Sequence, residues 1–270
     1  MTVPQIDAFQ LGDSQDRSHA NQVSRFLNDL GIVKVNLKFE DDNSHYLEQL
    51  IKSLHQHHDH GLPITHSAIR GWFWDVRPQL QSTTATDQNQ HHARSETMDT
   101  FPWHTDCSYE TSPPRFFALQ VLQPDKCGGG TLSVIQVDRL LSRLSVDARH
   151  ALSECEYGIN VPPEFIKDDK QLYIVGRVLS TPGLIQHPQL RFREDILTPL
   201  TDRARSAMEE LKALLLGPGT QTDVLHLTPE LMPRGSIILL DNRRWLHARN
   251  EVRDPTRHLR RVRWDSRPFD

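Results

Sequence analysis

The run from Gly235 to Leu240, Gly-Ser-Ile-Ile-Leu-Leu, constrains this chain more than any other stretch. It is continuously apolar and too short for a helix, so it reads as a buried strand inside a layered β fold. It stops at the polar turn Asp241-Asn242-Arg243. A residue placed just after that turn, such as His247, leaves the core in a fixed direction.

The rest of the chain surrounds this strand with alternating and helical patterns. Ser18–Leu30 carries Ala20, Val23, Phe26, Leu27 and Leu30 at helical spacing and ends at Gly31. The segment after Gly31 alternates like a strand, and a second helix follows Asn43, with Tyr46, Leu47, Leu50, Ile51 and Leu54 on one face, before Gly61. These N-terminal elements are expected to flank the main sheet. Strand-like runs come at Arg115–Leu122 and Thr131–Ile135. Helices are expected near Val137–Leu144, at Val146–Ser153 capped by Ser145, and at Asp202–Leu216. The polar stretch 79–95 reads as a surface loop and candidate lid. No repeat or linker divides the 270 residues, so one domain spanning 1–270 is expected.

Composition removes several function classes. No apolar run approaches the roughly eighteen residues that a membrane span needs. The start, Met1-Thr-Val-Pro-Gln-Ile-Asp7, lacks the basic and apolar parts of a secretory leader, and a cytoplasmic location is expected. Cys107, Cys127 and Cys155 have no CxxC spacing and fit reduced thiols. A net charge of −4 argues against nucleic acid or anionic lipid as a partner, and leaves a homo-oligomer open. Against that average, nine arginines and no lysine lie between Arg243 and Arg267, a bias toward paired recognition of carboxylate-like groups.

His104-Thr105-Asp106 sets an imidazole and a carboxylate two residues apart, on one face if the segment is extended. With fifteen histidines, one such pair is expected by chance. His247 is the best third ligand, because a buried strand and a turn fix its direction. Two histidines and one carboxylate form the facial triad that leaves open positions on iron(II) for a bidentate co-substrate and dioxygen. The same three ligands also suit zinc and an activated water, or a jelly-roll module that binds metal without catalysis. Cys107 alternates away from both ligands. His55, His57, His58 and His60 read as a solvated helix end.

Phe101-Pro-Trp103-His104-Thr105-Asp106, then Gly129-Gly130-Thr131-Leu132, then Asp241-Asn242-Arg243 with His247, Arg257 and Arg261 occur in order across residues 100 to 264. Together they resemble the motifs of the taurine dioxygenase (TauD/TfdA-like) family of oxygenases. The first hundred residues carry no motif that can be matched residue by residue.

The resemblance implies a mainly β fold with flanking helices, a cupin-like double-stranded β-helix. It implies Fe(II), 2-oxoglutarate and O2, and oxidation of an unactivated C–H bond, hydroxylation by default, with release of succinate and CO2. It implies His104, Asp106 and His247 as metal ligands, with Thr131 and Arg257 on 2-oxoglutarate. The co-substrate's far carboxylate needs a planar cationic fork, which arginine supplies. A turn at Arg253–Thr256 folds Arg257 back beside the His247 strand, and alternation puts Arg257, Leu259, Arg261 and Arg263 on one face. A solvated edge is as good a reading for Arg260 and Arg263. Arg261 is the expected contact for a small substrate bearing a carboxylate or similar anion, with Phe101, Trp103 and Trp245 walling off water.

Overall fold

Ser236–Asp241 is buried along its whole length. The computed structural model describes residues 2–65, 71–79, 93–166, 172–181 and 187–269. Within them, this strand lies inside a six-stranded sheet ordered Gln5–Ala8, Ile32–Leu37, Ser236–Asp241, Pro114–Gln123, His258–Ser266, Phe73–Val76. Only the first pair is parallel. Alternation explains the unbroken apolar run. Ile237 and Leu239 point outward onto the helices Arg17–Asp29 and His45–His58, while Ile238 and Leu240 point inward.

A four-stranded antiparallel sheet, Leu225–Leu227, Leu132–Gln136, Trp245–Arg249, Phe101–His104, faces the first. Phe117, Val121, Ile238 and Leu240 from the larger sheet meet Val134, Leu227 and Trp245 from the smaller. Ile135 and Leu246, on the smaller sheet's outer face, pack with Ala204, Met208, Leu211 and Leu215 of the helix Asp202–Leu216. Two facing sheets covered outside by helices make the double-stranded β-helix, or jelly-roll, that the sequence led us to expect.

The helices form for local reasons. Asp16 caps Arg17–Asp29 by accepting from the His19 N–H, and Thr201 caps Asp202–Leu216 by accepting from Ala204. Ser145 caps Val146–Leu152, as expected. Tyr46, Leu47, Leu50, Ile51 and Leu54 are fully buried. Each contributes roughly 1.5–3 kcal/mol of apolar burial before conformational entropy is subtracted.

The structure departs from the sequence reading at three places. Ile32–Leu37 is an inner strand of the larger sheet rather than a flank, paired on both sides. The strands Gln5–Ala8 and Phe73–Val76, four residues each, are too short to be read in isolation, and tertiary pairing defines them. His60 is buried rather than solvated, stacked on Phe116 at 4.7 Å and accepting from Trp264 Nε1 at 3.1 Å. Of the stretch read as a lid, 80–92 lie outside the described residues. Its ends are joined by the Gln79 N–H donating to the Glu96 carbonyl at 2.9 Å. Among the described residues, no helix is long and apolar enough to cross a membrane.

Candidate active site

His104 and His247 are direct neighbours across the antiparallel pair Phe101–His104 and Trp245–Arg249. Their ring centroids are 4.1 Å apart. The His104 Nδ1 lies 2.7 Å from the Pro102 carbonyl, so Nδ1 carries the proton and Nε2 presents a lone pair. Burial, followed by the neighbouring His247, holds His104 well below the ordinary imidazole range and keeps it neutral.

Asp106 does not share their strand. The Phe101–His104 strand stops before it, and Asp106 sits in the following turn. Asn242 fixes it there: Oδ1 accepts from the Asp106 N–H at 2.7 Å, and Nδ2 donates to the Asp106 carbonyl at 3.0 Å. Its Oδ1 is 3.7 Å from His104 Nε2 and 3.6 Å from His247 Nε2. The three side chains offer ligand atoms within 4.8 Å of one another, close enough for one ion. Burial alone would raise the Asp106 carboxyl, but Arg261, 3.4 Å from Oδ2, and Arg263 help to hold it well below the usual carboxylate range. Two imidazoles and an ionised carboxylate, converging within reach of one ion, fit a divalent iron ion.

Two cavities open from this cluster. One is lined by His104, Asp106, His247, Arg249, Arg257 and Arg261 among others. Arg257 is buried in it, and its guanidinium makes no hydrogen bond or ion pair to a described residue. Burial, with Arg249 second, pushes Arg257 down to about 9. Gly130, at φ +69°, allows the close approach: a Cβ there would stand 2.9 Å from Arg257 Nε. Asp125 ties the glycine loop to the turn before Arg257, accepting from the N–H groups of Cys127, Gly129, Arg253 and Asp254.

The expected site residues divide by position. His104, Asp106, His247, Arg257, Arg261 and Phe101 meet at this one place. Thr131 does not line the Arg257 cavity; its N–H donates to Asn250 Oδ1, and Leu132 takes the lining position. A bulge opposite His247 and Arg249 turns Phe101 onto His104, with ring centroids 3.6 Å apart. Trp103 packs instead with the core outside the smaller sheet, and Trp245 is buried between the sheets with Nε1 donating to the Leu30 carbonyl.

Cys107 corrects the alternation argument. At φ +54° its thiol turns back into the second cavity and accepts from Arg263 Nη1. Arg263 is buried, whereas Arg260 pairs with Asp75 on the outer side. Arg249, Asn242, Asp125, Arg94 and Arg193 were missed. Alternation from His247 pointed to Arg249, which is buried and donates to the carbonyls of Ser95, Thr97 and Asp99. Nothing local marks Arg193, which bridges to His104 from a distant segment.

The solved structures most like this one include an asparagine oxygenase with Fe(II), 2S,3S-3-hydroxyasparagine and succinate, at 18% identity over 96% of this chain and 92% of that one, TM-score 0.68. Another is the non-haem iron oxygenase OrfP with Fe and alpha-ketoglutaric acid, at 17% identity over 98% of this chain and 95% of that one, TM-score 0.68. At such identities the likeness speaks for the fold. No curated protein matches the chain. The family described as taurine catabolism dioxygenase TauD, TfdA family matches residues 7–156, which includes the N-terminal region where no single motif could be placed. That match covers more than half of the sequence, so the chain belongs to the TauD/TfdA family and is an Fe(II)- and 2-oxoglutarate-dependent oxygenase.

Proposed function

We propose that His104 Nε2, His247 Nε2 and the Asp106 carboxylate hold the iron, that Arg257 binds the far carboxylate of 2-oxoglutarate, and that a small anionic amino acid is hydroxylated beside Arg261. The observation that carries this reading is Arg257, a buried guanidinium with no described partner in the cavity that reaches the triad. An unpaired buried cation is costly, and a dicarboxylate that also reaches the metal relieves that cost. A zinc hydrolase on the same ligands gives Arg257 no task.

Iron, when bound, supplies activation of dioxygen coupled to conversion of 2-oxoglutarate to succinate and CO2. The protein's part is positional. The Pro102 carbonyl fixes the His104 tautomer, and Asn242 fixes the backbone of Asp106. Arg261 keeps Asp106 ionised and stands ready for a substrate carboxylate. Phe101, stacked on His104, excludes water from one side of the site. The two compared oxygenases were solved with hydroxylated asparagine and alpha-ketoglutaric acid, which supports an amino acid substrate and this co-substrate.

Anaerobic addition of 2-oxoglutarate to the Fe(II) protein is expected to produce a metal-to-ligand charge-transfer band. The band is expected to require far higher 2-oxoglutarate in Arg257→Ala. Absence of the band in the wild-type protein defeats the reading.

A further inference from the structure

The second cavity, on the side of Phe101, His104 and Asp106 away from Arg257, is lined by Arg94, Arg193, Arg261 and Arg263. Two carboxylates among the described residues pair with these arginines, and Arg263 also donates to the Cys107 thiol. Asp106 lies 3.4 Å from Arg261 and 3.8 Å from Arg263. Asp195 lies 3.3 Å from Arg94 and takes a forked pair of hydrogen bonds, both 2.9 Å, from Arg193. Each carboxylate is therefore shared between two arginines, and Asp106 also belongs to the metal cluster. Apart from Asp106, no acidic side chain among the described residues lines this cavity.

The two arginine pairs come from different elements, Arg261 and Arg263 from the strand His258–Ser266 and Arg94 and Arg193 from segments outside it. Arg261 is fully buried beside Asp106, and its Nε has no hydrogen-bond partner. Arg94 and Arg193 each lie 5.7 Å over the Phe101 ring, which in turn stacks on His104. The side chain of Arg193 is 11% exposed and that of Asp195 42%, so the arginine faces inward and its carboxylate partner faces solvent. Arg94 and Arg193 share one carboxylate, and Arg261 Nε has no hydrogen-bond partner, so the cavity keeps an excess of positive charge that favours an anion. Among the described residues that line this cavity, a cationic side chain finds no counter-charge beyond the Asp106 carboxylate.

We infer that the substrate is a small dianion, with one acidic group on Arg261 and a second on Arg193 and Arg94, so that the carbon between them lies over the His104–Asp106 edge. This rests on the proposed triad and co-substrate site, and it goes beyond them by excluding neutral and cationic side chains. Arg193 is then a specificity-determining residue, and the second acidic group discriminates a diacid from its amide.

The test uses the Fe(II) enzyme saturated with 2-oxoglutarate under anaerobic conditions, with the charge-transfer band as the reporter. L-aspartate, L-glutamate and glutarate are titrated beside L-asparagine, L-glutamine and L-arginine. At least one diacid is expected to shift the band with an affinity about tenfold or more above its amide and above L-arginine. Binding by glutarate alone, or by the amino diacids alone, identifies whether an amino group belongs to the substrate. Arg193→Ala is expected to weaken diacid binding by about tenfold or more and amide binding by about threefold or less, with Arg193→Lys restoring part of the diacid's advantage. Asp195→Asn, which frees Arg193 and Arg94, is expected to tighten diacid binding, an effect that a merely structural role for Arg193 does not produce. Amides or L-arginine binding as well as the diacids overturn the inference, as does failure of every diacid to bind or an equal loss for acid and amide in Arg193→Ala. A missing charge-transfer band overturns the co-substrate reading instead.

Discussion

Asn242 grips Asp106 by both ends of its amide, across 136 residues of chain, and its Nδ2 also donates to the Pro114 carbonyl at 2.9 Å. The carboxylate of the cluster is thus positioned by the turn that leads into the strand of His247. Asn242→Ala removes three buried hydrogen bonds. It is expected to lower unfolding free energy by about 1–3 kcal/mol and iron affinity by about tenfold or more. Urea unfolding and Fe(II) titration measure the two effects. Unchanged iron affinity counts against the positioning role.

Arg257 and Thr131 separate cleanly in the structure. A charged hydrogen-bonding fork to a carboxylate contributes about 1.5–3 kcal/mol, so Arg257→Ala is expected to raise the Kd for 2-oxoglutarate by about tenfold to a hundredfold. Thr131→Val is expected to change it by less than about threefold, because Leu132 rather than Thr131 lines the cavity. Calorimetric titration of both variants decides it, and a large Thr131 effect returns that hydroxyl to the co-substrate.

Asp125 holds the loop that seats Arg257 without lining the metal cavity. Asp125→Ala leaves four backbone N–H groups without their acceptor. It is expected to raise the KM for 2-oxoglutarate several-fold while the KM for the primary substrate stays near its wild-type value. Equal shifts in both count against the assignment. Gly129→Ala is expected to behave similarly, since a Cβ there would stand 2.5 Å from the Glu251 carbonyl.

His60 makes stability depend on acid. Burial pushes it down to about 4 from an ordinary value of 6.5, although Asp265 opposes the shift. Its Nδ1 must stay unprotonated to accept from Trp264. As pH falls below 6.5 the unfolded chain takes up this proton and the folded chain does not. Stability is therefore expected to fall by up to about 3 kcal/mol between pH 6.5 and 4, and to be flat for this group above 6.5. Thermal unfolding of the wild type and His60→Gln across that range should show a shallower slope in the variant.

How much the sequence determined depends on how local each signal was. Periodicity alone placed the helices Arg17–Asp29, His45–His58 and Asp202–Leu216 and the strand Ser236–Asp241, because burial of one face, or of two, writes itself into neighbouring positions. The candidates His104, Asp106, His247, Arg257 and Arg261, which line one cavity in the structure, were legible as a group too, since the motifs are short and ordered. Only the tertiary structure decided how they meet. A turn and the Asn242 amide aim Asp106, where an extended strand was expected. A register shift, invisible to regular alternation, brings Phe101 onto His104 and leaves Trp103 on the outer core. The positive φ of Cys107 reverses its direction. Arg193 comes from a segment that meets His104 through one isolated bridge, and its pairing with Asp195 has no local sequence signature. Sequence carries the pattern of what is buried; which buried charges share a cavity is settled by contacts between residues far apart in the chain.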